Sequence, residues 1–171
     1  MGEPKEELTP LAKEVVSAVL PDPDQAAALF SVTVNESPAS KSDHAEAMEH
    51  LAFGETFGDY MAVAEWSKDK GWHDRRVEPY GPLQLWPAAA VLHYSQEIFE
   101  GMKAFRWQDG SIWTFRPAFN AARLNNSARR MAMPQIDLDD FVGSLVQLVR
   151  QDKRWVPATE DSSLYLRPFM F

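Results

Sequence analysis

The stretch GMKAFRWQDGSIWTFRP, residues 101–117, leaves the backbone few conformations. Two strand-like runs, 102–107 and 111–115, flank Gln108, Asp109 and Gly110, and a short connection made of turn formers closes an antiparallel hairpin. Pro117 then opens a helix to about Met131, because proline at the first helical position gives up no N–H that the helix needs. Beyond Pro134, Asp137 caps a second helix whose apolar residues at 138, 141, 142, 145, 148 and 149 share one face. Further strands are expected at YMAVAEW, residues 60–66, at GPLQLWP, residues 81–87, and from Ser163 onward. Strands first, then two helices, then a strand describe an α+β domain, an antiparallel sheet with packed helices.

Charge divides the chain. Residues 1–60 hold 12 acidic and 3 basic residues, whereas residues 61–171 hold 13 and 14, so the net charge of -8 resides in the leader. A near-neutral body offers no electrostatic footprint for nucleic acid, and an acidic leader repels phosphate backbones and anionic lipid. Residues 1–50 are set apart as an N-terminal helical and acidic leader, and residues 51–171 as the folded body. In the leader a helix is expected over 9–20, with Thr9 as its cap and Pro21 closing it, and a second short helix after Asp24. Residues 31–50 turn to Ser, Asn, Pro and acids, the composition of a weakly ordered linker. There is no cysteine, which removes disulfides, thiolate nucleophiles and cysteine metal sites. No run approaches the ~18 apolar residues of a membrane-spanning helix, and the cytoplasm is the expected location.

Few residues announce chemistry by spacing alone. Arg123 lies near the apolar edge of the Pro117 helix, where a guanidinium can grip a phosphate or carboxylate with two parallel bonds, although spacing favours a surface arginine. In LHYSQEIFEGMKAFR, residues 92–106, Tyr94 and Phe99 flank a polar break, and Gly101 lets backbone approach something closely; a substrate-lining turn and an ordinary hairpin entry are equally good readings. Lys103 alternates with Met102 and Ala104 in a strand-like run and reads as exposed or ion-paired rather than covalently reactive. The four histidines have no metal spacing, and no metal site is expected. In SLYLRPFMF, a period of two puts Tyr165, Arg167, Phe169 and Phe171 on one face, a mixture unlike a core strand. An ending on Phe169, Met170 and Phe171, without charge or turn former, reads as a cut rather than a natural terminus.

Taken together, FGETFGDYMAVAEW, LHYSQEIFEGMKAFR, FRPAFNAARLNNSARRMAMP, DKRWVP and SLYLRPFMF resemble, in order, the signature stretches of the branched-chain amino-acid aminotransferases. These are fold type IV enzymes that use pyridoxal 5'-phosphate. The resemblance runs from about Phe53 to Phe171, and it implies that residues 51–171 are the small domain of such an enzyme. It implies transfer of the amino group of leucine, isoleucine or valine to 2-oxoglutarate, in a cytoplasmic homodimer of amino-acid metabolism. Other fold type IV enzymes, a D-amino-acid transaminase or an aminodeoxychorismate lyase, share the scaffold. From a different class, a non-catalytic binding or dimerisation module remains the rival reading.

The same resemblance implies roles residue by residue. Arg123 stands where the family's arginine holds the cofactor phosphate. Phe53, Tyr94 and Phe99 match walls of the substrate pocket, with Tyr94 acting from the partner subunit. Tyr165 and Arg167 match residues at the substrate carboxylates, Arg167 at the distal carboxylate of glutamate or 2-oxoglutarate. The lysine that carries the cofactor belongs to a following large domain in that family, so a chain ending at Phe171 is expected to be inactive alone.

Overall fold

The structure, a computed structural model, describes residues 9, 13, 15, 18–159 and 161–171. The helix expected over 9–20 lies outside the described residues for most of its length. Five helices are described: α1 (Pro23–Ala27), α2 (Lys41–Glu49), α3 (Ala90–Tyr94), α4 (Pro117–Arg130) and α5 (Leu138–Gln151). Eight short strands join them: β1 (Ser31–Val32), β2 (Tyr60–Ser67), β3 (Gly71–Pro79), β4 (Ile98–Phe99), β5 (Met102–Arg106), β6 (Ile112–Thr114), β7 (Leu164–Leu166) and β8 (Phe169–Met170). They form three sheets, β1-β3-β2, β4-β8 and β6-β5-β7, in which only the β1–β3 pair is parallel. The architecture is α+β.

The hairpin expected between residues 102 and 115 is β5–β6, with Phe105 opposite Trp113 and Ala104 opposite Thr114. Its inward residues Met102 and Ala104 join Ile98, Leu166, Ala121, Leu124, Ala128, Phe141 and Leu145 in the core. Alternation supplies the strand contributions and the 3.6-residue period supplies those of α4 and α5. Each large apolar side chain buried here contributes about 1.5–3 kcal/mol. Asp137 precedes α5 in the extended conformation of a cap, although its side chain accepts no capping hydrogen bond.

Two expectations fail. Residues 81–87 form no strand, and Leu83, Leu85 and Trp86 are exposed. Pro82 and Pro87 have no N–H to give a ladder, and the apolar residues between them find no sheet to face. Residues 31–50 are not a linker without structure either. β1 pairs with β3 there, and α2 is capped by Ser40, whose hydroxyl accepts from the Asp43 N–H. Short polar side chains, rather than an apolar period, order this segment.

The leader also packs on the body. Asp22 accepts from the N–H groups of Asp24 and Gln25 to cap α1, and Ala26, Ala27 and Phe30 are buried. Gly143 of α5 makes this possible, because a Cβ there would run into the Ala26 carbonyl. Arg150 at the far end of α5 pairs with Asp24.

A buried acid pair ties the next segment down. Asp59 accepts from the Ala39 N–H at 2.8 Å, from Trp155 Nε1 at 2.7 Å and from Arg154 at 2.6 Å. Its own N–H donates to Asp152 Oδ1 at 2.9 Å. Burial pushes the Asp59 carboxyl up, but the bonds from Ala39, Trp155 and Arg154 outweigh it and hold the group below the usual range. Asp152 has weaker help. Burial raises its carboxyl to about 6 against the pull of the Asp59 and Tyr60 N–H groups, and the Asp59 charge adds to the rise.

The two features give two expectations. Gly143→Ala gains about 1 kcal/mol of helix propensity but overpacks against backbone, which costs about 1–3 kcal/mol, so urea unfolding should show a net loss of stability. For Asp152, the folded chain binds the proton more readily than the unfolded one. Its contribution is therefore fully present below about pH 4 and is lost as pH rises through about 6. Asp152→Asn should remove that downward slope from unfolding free energies measured across this window, and an unchanged slope would show that another group titrates.

Candidate active site

β4 and β5 belong to one run of chain interrupted at Glu100 and Gly101, and β7 and β8 to another interrupted at Arg167 and Pro168. The two interruptions face each other. Phe99 pairs with Phe169 on one side and Met102 with Leu166 on the other, and the Glu100 N–H donates to the Pro168 carbonyl at 2.8 Å. Pro168 supplies no ladder donor and confines Arg167 to extended backbone, which explains why the second strand breaks there.

At this elbow four of the six expected site residues meet. Phe53 stands edge-on to Tyr165, with ring centres 5.0 Å apart. The Arg167 guanidinium carbon lies 4.5 Å from the centre of the Phe99 ring and 5.2 Å from that of Tyr165. Its Nη2 donates to the Tyr165 hydroxyl at 3.0 Å. Such a cation is held by ring faces and one neutral acceptor, and among the described residues it has no carboxylate partner. Gly101 is required by this packing, since a Cβ on it would strike the Tyr165 hydroxyl.

Arg123 lines a groove together with Gly101. α4 begins at Pro117 behind Arg116, which has φ 50° and ψ 55°, and carries Phe119, Asn120 and Arg123 along one side. Arg116 and Arg123 lie over the same Phe119 ring, at 5.7 and 5.9 Å. Arg123 Nε donates to Glu100 Oε1 at 2.9 Å, and among the described residues its two terminal nitrogens make no hydrogen bond. A groove of about 420 Å³ opens here, lined in part by Gly101, Lys103, Phe115, Arg116, Phe119 and Arg123. Among the described residues its charged lining is Lys103, Arg116 and Arg123, so it favours an anion.

Tyr94 does not join this group. It closes α3 with 82% of its surface exposed, and its ring contacts that of His93 at 6.2 Å. Lys103 is exposed on β5 opposite Tyr165, as its alternation suggested.

Sequence reasoning passed over Glu100 and Asn120. Glu100 is 4% exposed and Asn120 9%, and Asn120 Nδ2 donates both to Glu100 Oε2 at 2.9 Å and to the Gly101 carbonyl at 3.1 Å. Two signals were available. An acid sits directly beside the glycine between two strand-like runs, and Asn120 precedes Arg123 by three, on the same helical side.

No family model matches the chain. Among individual proteins, the branched-chain-amino-acid aminotransferase of Mycolicibacterium smegmatis is 50% identical over 142 residues, 82% of this chain and 39% of that protein. The Mycobacterium tuberculosis enzyme of the same name is 48% identical over 143 residues, 83% of this chain and 39% of the relative. A cytosolic branched-chain-amino-acid aminotransferase of Caenorhabditis elegans is 47% identical over 118 residues, 69% and 28% respectively. The chain thus spans less than two fifths of the length of the curated relatives it matches.

Gly101→Ala tests the tight packing at the elbow. The added methyl must displace the Tyr165 ring from Phe53 or spread the two chain runs, and overpacking of this kind costs about 1–3 kcal/mol. Thermal and urea unfolding of the variant should report that loss; full retention of stability would mean that Tyr165 yields freely.

Proposed function

Because the chain belongs, over the residues it shares with these relatives, to the branched-chain-amino-acid aminotransferase family, we propose that it forms the small domain of an enzyme exchanging amino groups between leucine, isoleucine or valine and 2-oxoglutarate. The observation that carries this reading is the placement of Arg167 on a wall of Phe99 and Tyr165, with Phe53 alongside. Such a reaction presents one pocket with an apolar side chain in one direction and a second carboxylate in the other. An aromatic surface with a single cation set into it serves both, since rings bury the aliphatic chain and the guanidinium pairs with the carboxylate.

The groove beside Gly101 fits the phosphate of pyridoxal 5'-phosphate. Among the described residues its charged lining is wholly cationic and the terminal nitrogens of Arg123 are unengaged. In this reading Arg123 holds the phosphate, Tyr165 and Arg167 hold substrate carboxylates, and Phe53 and Phe99 exclude water from the side-chain pocket. When bound, the cofactor supplies an electron sink for the charge that develops at the substrate α-carbon. The chain's own residues contribute orientation and charge, and none of them is assigned a proton transfer.

Tyr94 fits the reading that it serves the site of a partner subunit. It is exposed and lies apart from the cluster on its own chain. The proposal is therefore of a homodimer, and the cytosolic relative supports a cytoplasmic location.

Steady-state kinetics of the whole protein test the assignment of Arg167. Arg167→Ala should raise KM for 2-oxoglutarate about tenfold more than KM for leucine, because only the former presents a distal carboxylate to a lost charge-assisted bond. Equal effects on both substrates would remove the carboxylate role.

A further inference from the structure

Glu100 and its neighbour Gly101 connect the Arg123 side of the site to the Tyr165 and Arg167 side. The Glu100 carboxylate accepts from Arg123 Nε and from Asn120 Nδ2, its N–H donates to the carbonyl between Arg167 and Phe169, and Gly101 beside it makes room for Tyr165. The carboxylate is buried while Arg123 is 51% exposed, so the acid is the fixed partner and the arginine the one being held. Nε is also the guanidinium donor nearest the side-chain stem. Engaging it fixes the plane of the fork and leaves the two terminal nitrogens as a preset pair of donors toward the groove.

We propose that Glu100 is a positioning residue that presets Arg123 for an anion and holds that grip in register with Tyr165 and Arg167. This rests on the reading of Arg123 as a phosphate holder. Electrostatics and positioning pull in opposite directions here. A carboxylate 2.9 Å from Arg123 Nε subtracts from the positive potential of the groove. If charge alone mattered, deleting it would strengthen anion binding. If geometry matters, deleting it frees a half-exposed side chain to sample other rotamers, and the bound anion must then order it again.

Glu100→Gln keeps the shape but offers one acceptor where two donors converge, so either Arg123 or Asn120 loses its bond. The experiment is a titration of the full chain with pyridoxal 5'-phosphate, followed by the arginine Nε–Hε resonances in NMR. Four forms are compared: wild type, Glu100→Gln, Arg123→Gln and the double variant. Expected for Glu100→Gln is an affinity about three- to tenfold weaker despite the added net positive charge. In the Arg123→Gln background the same change should leave affinity equal or slightly better, because only the repelling carboxylate is lost.

Weakened binding in the first background and not in the second supports the proposal. Affinity that is unchanged or improved by Glu100→Gln in both overturns it while leaving Arg123 in its role. An Arg123→Gln variant that binds as well as wild type overturns the phosphate assignment itself, and the proposal with it. Should Glu100→Gln unfold, Asn120→Ala gives the second test. It leaves the Glu100–Arg123 bond in place but removes its brace, and it should weaken binding in the same direction; equal binding by a folded Asn120→Ala chain counts against the proposal.

Discussion

The hydrogen bond from the Glu100 N–H to the Pro168 carbonyl joins two chain runs at the level where each leaves its ladder. Above it β4 pairs with β8 over two residues, too short a ladder to stand alone, and below it β5 pairs with β7 over three, within the β6-β5-β7 sheet. The ribbon survives its break because both strands break together. Inward from the break lie Ile98, Met102 and Leu166 in the core; outward lie Phe99, Tyr165 and Arg167. One elbow therefore converts a period-two strand pattern into a bent surface with cations on it. Continuous pairing through residues 98–106 would have put a straight ladder there, with no opening beside Gly101.

Where local physics decides conformation, the sequence was readable. Prolines at 117 and 134, the turn at 108–110 and the apolar period of residues 138–149 each act within a few residues, and α4, α5 and the β5–β6 hairpin stand where they indicate. β3 was hidden for the opposite reason. Its residues GWHDRRVEP carry charge where an alternating strand would carry apolar groups, and those charges are paired: Arg76 with Glu78 on the same strand and Glu65 on β2, Arg75 with Asp140 of α5. A strand stabilised by cross-strand and cross-layer ion pairs has no one-dimensional signature. The candidate site was even less legible from periodicity. Spacing favoured a surface role for Arg123, and its side chain is indeed half exposed, but no spacing rule foretells that a buried acid 23 positions earlier holds it.

The acidic leader illustrates how composition misleads when polar groups are structural. Acids in residues 1–60 outnumber bases, which reads as solvated chain, yet Asp22, Asp24 and Asp59 each meet a specific donor. Asp59 alone gathers a backbone N–H, an indole and a guanidinium. A carboxylate with that many donors orders the chain around it as firmly as an apolar side chain would, and it does so without raising local hydropathy. The placement of α1 against α5 and of residue 39 against the turn after α5 follows from such groups together with Ala26, Ala27 and Phe30.

The two arginines of the site are held by opposite means, and the difference bears on what each is free to do. Arg123 is oriented by a carboxylate that also offsets part of its charge. Arg167 is oriented by two aromatic rings and a phenol oxygen, none of which offsets its charge. A permanently resident dianion needs a rigid fork more than it needs maximal attraction, because it seldom leaves. A substrate that must enter with a carboxylate and depart without hindrance needs the reverse: a full charge, presented on a surface that tolerates an aliphatic chain when no carboxylate comes. On the proposed reading, this division is what lets one pocket alternate between partners of unlike polarity. On that reading, an acid beside Arg167 in place of the rings would present an incoming dicarboxylate with a pair already satisfied and would remove the proposed preference for a second carboxylate.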